Sequence, residues 1–144
     1  MAYETINPYN GKRVKQFAEH TDAEVEKAVS QAQTCFAIWR RKTFAERAAV
    51  LSKAASILRS REIEFANLIT LEMGKLIAES RSEVALSADT IDYYAQHGEG
   101  FLSPQTLAPH AGEATIESSP IGVLFGIEPW NSPTISSRDS SLRI

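Results

Sequence analysis

The sequence has very little cysteine and no long apolar run. Its single cysteine, Cys35, cannot form an internal disulfide, which suits a reducing compartment. No stretch approaches the roughly 20 apolar residues of a membrane-spanning helix, and the opening residues, MAYETINPYNGKRVKQF, carry no apolar leader. We therefore expect a cytoplasmic protein with no membrane partner.

Neither sign of charge dominates the chain. The 15 Lys and Arg residues stand against 18 Asp and Glu, and the basic residues are scattered among acidic ones. This distribution argues against a nucleic-acid partner. The three histidines, His20, His97 and His110, are too far apart in sequence to suggest one metal ion, so no metal site is predicted. The 144 residues, 43% of them apolar, can form one core.

The first hundred residues have mainly helical patterns. Two capping boxes each open an apolar stripe, and the short link between these two predicted helices favours an antiparallel pair. A third and a fourth helix are expected to end at glycines. The capping boxes are Thr21 with Glu24 and Thr43 with Glu46, and the terminating glycines are Gly74 and then Gly98 with Gly100.

Three segments have strand patterns. INPYNGKRV, with its Asn-Pro and Asn-Gly turns, predicts a hairpin, and ATIESSP predicts a short exposed strand after a loop over residues 101–112. GVLFGIE is apolar on both faces, as in a strand buried in a parallel sheet. Such a strand needs neighbours on both edges, and no later strand pattern follows it.

The residues after GVLFGIE form the candidate site. A loop at the end of a buried strand is where open α/β sheets bind ligands, so Trp130 would line a cofactor and the Asn131 amide would donate to a developing oxyanion. The alternative is a plain turn with Trp130 as a core side chain. Cys35 has no histidine or acid placed to activate it, and we interpret it as structural. EMGK closes a helix and is no phosphate loop.

Several stretches together carry a family resemblance. NPYNGK, CFAIWRRKTFAERAAVLSKAASILRSR, LITLEMGKLIAESRSEV, DYYAQHGE and PIGVLFGIEPWN occur in this order from Thr5 to Asn131. The set resembles the opening portion of NAD(P)-dependent aldehyde dehydrogenases, in particular the succinate-semialdehyde dehydrogenase branch.

The resemblance implies an α/β fold, of which this chain holds mostly the N-terminal helices and the first strands. Residues 1–131 would be the N-terminal part of the cofactor domain, with an oligomerisation strand near residues 114–119. NAD or NADP would contact Ile127, Glu128, Pro129, Trp130 and Asn131. Asn131 would also hold the oxyanion of the thiohemiacetal. The intact family takes a small aldehyde, such as succinate semialdehyde, and forms homo-oligomers.

Family members supply a cysteine nucleophile, a glutamate base and the rest of the nucleotide fold further along. None of these follows here, so we expect this chain alone to be inactive and not to bind the cofactor. The alternative is a helical interaction or oligomerisation module that docks on an intact dehydrogenase subunit or another partner. Its support is the amphipathic helices and the ATIESSP strand, although stripes of this kind usually pack in a core.

The sequence departs from the family at Ser132. The family continues with Phe-Pro-Tyr-Tyr-Gln-Leu-Ala-Arg. With codons chosen to fit, this stretch can be encoded as TTC CCC TAC TAT CAG CTC GCG CGA. Deleting one T from the Phe codon gives Ser-Pro-Thr-Ile-Ser-Ser-Arg and an acidic residue, as in residues 132–139. Ala-Pro-Asn-Leu-Met in the shifted frame gives Ser-Leu-Arg-Ile and a stop. We expect a single-base frameshift, with residues 132–144 a disordered tail.

The nucleotide sequence tests this reading directly. We expect that restoring one base after the Asn131 codon returns Phe-Pro-Tyr and the later dehydrogenase sequence, and that this frame continues past the stop codon. A downstream sequence that encodes no dehydrogenase residues in any frame would refute the frameshift.

Overall fold

A computed structural model describes residues 3–108, 112–127, 129 and 133–134. The predicted mostly helical chain is confirmed in these ranges, where two antiparallel strand pairs flank four helices. No helix among the described residues combines the length and apolarity needed to cross a bilayer. The elements are β1 Tyr3–Ile6, β2 Arg13–Phe17, α1 Asp22–Trp39, α2 Phe44–Ser60, α3 Glu62–Met73, α4 Ile77–Leu102, β3 Gln105–Leu107 and β4 Ala114–Ile116.

Both predicted capping boxes are confirmed. The Thr21 backbone N–H donates to the Glu24 carboxylate at 2.8 Å, and the Glu24 N–H donates back to the Thr21 hydroxyl at 3.3 Å. Thr43 and Glu46 repeat the arrangement at 2.8 and 3.2 Å. Each box satisfies backbone donors that the first helical turn leaves without an intrahelical acceptor, which is why α1 and α2 begin at these positions.

The core lies where α2 and α3 pack against α4. Small side chains such as Ala55, Ala66 and Ala88 let the helix backbones approach closely at these contacts. Arg59 of α2 extends the α2–α4 contact at the surface by donating to Asp89 at 2.8 Å and also to Asp92. The buried apolar residues are Ala55, Ala66, Ile69, Val84, Ala88 and Ile91.

The predicted antiparallel pair of α1 and α2 is wrong. α1 buries no residue, and Val25 and Val29 of its apolar stripe are 50% and 60% exposed. The reason is competition for one surface, because α2 has a single apolar stripe and α4 covers it. The short link keeps the two helices adjacent in the chain but provides no second apolar face for α1.

The predicted end of α4 at Gly98 and Gly100 is also wrong, because the helix runs through both to Leu102. Neither glycine has a positive φ. A glycine costs a helix interior only about 1 kcal/mol relative to alanine, and an aromatic row at four-residue spacing offsets that cost. His97 stacks on Tyr93 with ring centroids 4.3 Å apart, and Phe101 follows at 6.3 Å.

Two of the three strand predictions are confirmed. INPYNGKRV contributes to the β1–β2 pair, and Ala114–Ile116 of ATIESSP forms β4. β4 pairs with β3, which lies inside the predicted loop over 101–112. GVLFGIE is not a strand in the described residues 122–127, and Phe125 is 90% exposed. A strand apolar on both faces forms only against neighbouring strands, and the described residues provide none for it.

Gly74 caps α3 as predicted. Its φ is 72°, in the left-handed region, and its N–H donates to the Thr70 carbonyl at 2.9 Å. A Cβ at this position would lie 2.9 Å from Cγ of Pro8, in the turn between β1 and β2. Both the backbone conformation and the close approach of Pro8 therefore require glycine.

Gly74→Ala and Gly98→Ala are expected to change stability in opposite directions. The first should lower the free energy of unfolding by about 1–2 kcal/mol, because alanine is strained at positive φ. The second should raise it by about 0.5–1 kcal/mol, because alanine favours a helix interior and its Cβ would meet no atom within 4 Å. Urea unfolding followed by far-UV circular dichroism measures both. Equal shifts of one sign would contradict this account.

Candidate functional site

The predicted site lies largely outside the described residues. Glu128, Trp130 and Asn131 are in that part of the chain, so their predicted contacts stay predictions. Ile127 is 85% exposed and Pro129 is exposed. The structure therefore describes the loop only at Ile127 and Pro129. The next described residues in the chain are 133 and 134.

The segment after the loop contacts the helical core. Pro133 and Thr134 have helical conformation and are half-buried. The Thr134 backbone N–H donates to Oε1 of Glu83 at 3.1 Å, and its hydroxyl donates to the same oxygen at 2.7 Å. Two hydrogen bonds thus connect this segment to α4, across 51 positions of sequence.

Glu83 joins a second part of the chain through its other oxygen. Its side chain is 4% exposed, and Oε2 accepts from Nζ of Lys75, which lies between α3 and α4 directly after the Gly74 cap. One buried carboxylate therefore connects α4, the α3–α4 turn and residue 134. Charge-assisted hydrogen bonds of this kind are stronger than bonds between neutral groups.

The pKa of Glu83 reflects these contacts. Burial disfavours the charged carboxylate and by itself raises the pKa. The Lys75 ammonium and the two Thr134 donors favour the charged form more strongly, so the pKa lies below its ordinary value of 4.5. Glu83 is therefore a carboxylate near neutral pH, and an acceptor at both oxygens.

A small apolar cavity adjoins this contact. It has a volume of about 110 Å³, and its lining includes Phe65, Ile69 and Met73 of α3 together with Pro133 and Thr134. Residues 133–134 thus lie beside α3 while Thr134 bonds α4. The segment after the predicted loop is held at the junction of the two helices.

Glu83 was not among the residues predicted from the sequence, yet the sequence carries a signal for it. The buried positions of α4 include Ser80, Val84, Ser87 and Ala88, which repeat at three- and four-residue steps. Glu83 falls on the same stripe. A charged residue at a core position of an amphipathic helix is buried only with partners, and this points to a contact.

The remaining candidates are Cys35 and the three histidines. Cys35 is free and exposed on α1, and its interpretation as a residue without activation stays a prediction. His20 lies beside Glu24 at 3.9 Å, and Nδ1–H of His97 donates to the Tyr93 carbonyl at 2.8 Å. His110 is outside the described residues. Within the described ranges, no group of His, Cys, Asp or Glu could hold a metal ion.

An apolar groove of about 310 Å³ lies between the first half of α2 and the end of α4. Its walls include Phe44, Leu51, Tyr94 and Phe101, and the Arg47 guanidinium stacks on Phe44 at 4.3 Å. The groove is distinct from the Glu83 contact. Of the predicted site, the two described residues Ile127 and Pro129 do not line it.

The two described loop positions do not by themselves fit a dinucleotide. Such a ligand is usually buried in a cleft and held by hydrogen-bond donors. Ile127 and Pro129 are exposed, and neither side chain carries a donor. Proline also lacks a backbone N–H. The two described loop positions thus supply no side-chain donor for a phosphate.

Comparison with known proteins supports the family that the sequence resembles. The model of the aldehyde dehydrogenase family matches residues 1–140. The chain is 44% identical to the NADP(+) succinate-semialdehyde dehydrogenase of Deinococcus radiodurans, over 91% of this chain and 28% of that protein. It is 36% identical to the NAD(P)+ succinate semialdehyde dehydrogenase of Escherichia coli, over 90% of this chain and 28% of that protein.

A solved structure shows the same arrangement in three dimensions. The succinic semialdehyde dehydrogenase of Streptococcus pyogenes, in complex with NADP+, matches with a TM-score of 0.91 and 35% identity. The match covers 95% of this chain and 30% of that chain. The chain therefore spans less than a third of the length of these relatives.

The lowered pKa of Glu83 predicts a pH-dependent stability contribution. The contribution is present above the unfolded-state value of about 4.5 and is lost as the pH falls through the lower folded-state pKa. At neutral pH, Glu83→Gln should lower the free energy of unfolding by about 2 kcal/mol, because Lys75 loses its charged partner. Well below the folded-state pKa the difference from the parent should shrink.

Urea unfolding at neutral and acidic pH measures this difference. Glu64→Gln is the matched control, because the Arg61 guanidinium also lowers the pKa of Glu64 but this pair is exposed. It should change stability much less than Glu83→Gln does, at either pH, because water screens an exposed pair. An equal loss for Glu83→Gln at both pH values would contradict a role for the charge.

Proposed function

Because the chain belongs to the aldehyde dehydrogenase family, we propose that it forms the N-terminal part of a succinate-semialdehyde dehydrogenase. The reaction would oxidise succinate semialdehyde to the carboxylic acid with NADP+ as hydride acceptor, in the cytoplasm. The observation that carries the proposal is the joint agreement of sequence with the Deinococcus protein and of fold with the Streptococcus structure.

In this proposal the described helices support the loop that contacts the cofactor. α2 and α3 pack on α4, and Glu83 of α4 bonds the segment that follows the loop. Trp130 would lie against the dinucleotide, and Asn131 would donate to the oxyanion of the covalent intermediate. Residues 1–131 would thus contribute one wall of the site and one oxyanion donor.

We further propose that the 144-residue polypeptide does not turn over by itself. Aldehyde oxidation in this family needs a thiolate to attack the carbonyl and a base to activate water. The only cysteine of the sequence, Cys35, is exposed on α1. An oxyanion donor is worth about 3–4 kcal/mol, and it has no charge to stabilise until a nucleophile has attacked.

The frameshift remains our proposal for residues 132–144. Its support is the match of the shifted codons to residues 132–139 and to residues 141–144. The family model matches through residue 140, so its boundary does not coincide with Ser132. The nucleotide sequence is therefore the appropriate test of this proposal.

A docking module is the second candidate, and exposed apolar side chains favour it. α1 buries no residue, and Ile121 and Phe125 are 91% and 90% exposed. Such surfaces commonly contact further protein. The partner would be an intact dehydrogenase subunit.

A chimera tests the main proposal. Residues 1–131 replace the matching part of the Deinococcus enzyme, and NADP+ reduction with succinate semialdehyde is followed by absorbance. We expect turnover by the chimera and none by the 144-residue chain. Asn131→Ala in the chimera should lower kcat about 10²–10³-fold, whereas Asn67→Ala, an exposed position of α3, should not.

Two outcomes would change the conclusion. Turnover by the purified 144-residue chain would refute its predicted inactivity. A folded chimera whose kcat is unaffected by Asn131→Ala would refute the role of that residue. Co-elution of the 144-residue chain with the intact Deinococcus enzyme would instead favour the docking candidate.

A further inference from the structure

The groove between α2 and α4 is the open end of the helix interface that forms the core. Ala55 of α2 packs with Ala88 of α4, and Leu51 contacts this cluster and also lines the groove. Tyr94 and Phe101 line it as well, yet they are 37% and 54% exposed. α4 thus covers the stripe of α2 around Ala55 and leaves an apolar space of about 310 Å³ towards the start of α2.

The groove also holds a positive charge without a counter-ion. Arg47 of α2 lines the groove and is half-buried, with its guanidinium on the Phe44 ring at 4.3 Å. Glu99 of α4 lines the groove too, but Arg47 forms no ion pair or hydrogen bond with any residue that the structure describes. A half-buried cation of this kind favours an occupant that brings a carboxylate to an otherwise apolar surface.

Helix α1 presents an apolar stripe that its own copy leaves uncovered. The helix buries no residue, and Val25, Val29 and Ala32 follow one another at steps of four and three positions. This is the spacing with which amphipathic helices occupy apolar grooves. Asp22 is exposed and lies three positions before Val25, so its carboxylate borders the same stripe.

The stripe and the groove match in length. Positions 25 to 32 of α1, 44 to 51 of α2 and 94 to 101 of α4 each cover about 10 Å of helix, at about 1.5 Å per residue. No residue of α1 lines the groove of its own copy. The turn after α1 holds the helix in its present direction, because the backbone N–H groups of residues 40–42 donate to carbonyls of its last turn at 3.0–3.1 Å. A second copy has no such restraint.

We propose that the 144-residue chain self-associates, with α1 of one copy in the α2–α4 groove of another. Val25, Val29 and Ala32 cover the groove, and Asp22 pairs with Arg47. Each copy carries one stripe and one groove, so reciprocal exchange of α1 closes a twofold dimer and covers both grooves. This surface is distinct from the predicted loop site, and the inference does not depend on the proposed reaction.

Sedimentation velocity of the 144-residue chain over a range of concentrations tests the association. We expect a monomer–dimer equilibrium. Val29→Glu should raise the dissociation constant at least about a hundredfold, because a charge replaces an apolar side chain in both grooves. Ile38→Glu is the matched control, since Ile38 is 62% exposed against 60% for Val29. It lies nine positions further on, on the opposite side of α1, and should leave the dissociation constant unchanged.

A charge exchange tests the orientation of the docked helix. Arg47→Glu should weaken the dimer about tenfold, because it places like charges opposite each other at two contacts. Adding Asp22→Lys to Arg47→Glu should restore the parent association. Far-UV circular dichroism checks that each variant keeps its helices. If Arg47→Glu does not, Val29→Glu and its control decide.

A chain that stays monomeric at all concentrations would overturn the inference, whether or not it binds the intact Deinococcus enzyme. Equal weakening by Val29→Glu and Ile38→Glu would do the same, because the association would then not use the stripe. Species larger than a dimer would contradict reciprocal exchange, and failure of Asp22→Lys to restore association would contradict the ion pair. The measurement needs neither substrate nor dinucleotide, so its result is independent of turnover by the chimera.

Discussion

The packing of α2 and α3 against one face of α4 is the interaction on which the rest of the described fold depends. Ala55 of α2 and Ala66 of α3 are fully buried, and so are Val84 and Ala88 of α4. Small side chains at these contacts allow close helix approach, which gains dispersion contacts as well as burial from water. Neither strand pair contributes a buried residue. The free energy of folding must therefore come mainly from these two helix interfaces.

Glu83 lies on this same face, and its presence there is not explained by stability. A buried ion pair loses hydration on both partners, and a well-packed apolar pair is often as stable or more so. What an apolar side chain cannot do is accept hydrogen bonds from a backbone N–H and a hydroxyl of a distant segment. The contacts of Oε1 with Thr134 and of Oε2 with Lys75 use that capacity at both oxygens. A connecting role accounts for a carboxylate at this position better than a purely stabilising one.

The features predicted from the sequence are those that a few neighbouring residues determine. Thr21, Thr43 and Gly74 were identified because each satisfies backbone groups within its own helix end. The packing of α1 and the end of α4 were not predicted correctly. Both depend on which surfaces from distant parts of the sequence pack together. Gly98 illustrates the difference. A glycine ends a helix only where the residues after it make no contacts that stabilise a further helical turn, and here Phe101 contacts the ring of His97. For the site, the loop at residues 127–131 stays a prediction from its pattern, while the contacts of Glu83 required the three-dimensional structure.

The disagreement over GVLFGIE has the same physical origin. Its apolar residues suit a strand with neighbours on both edges and cover on both faces, but Phe125 and Ile127 are at least 85% exposed. A β-strand has no internal hydrogen bonds, so its backbone is satisfied only by an adjacent strand, whereas a helix satisfies its own. Helices α1–α4 can therefore form from local sequence, and residues 122–127 cannot. The family match covers less than a third of the length of the relatives compared.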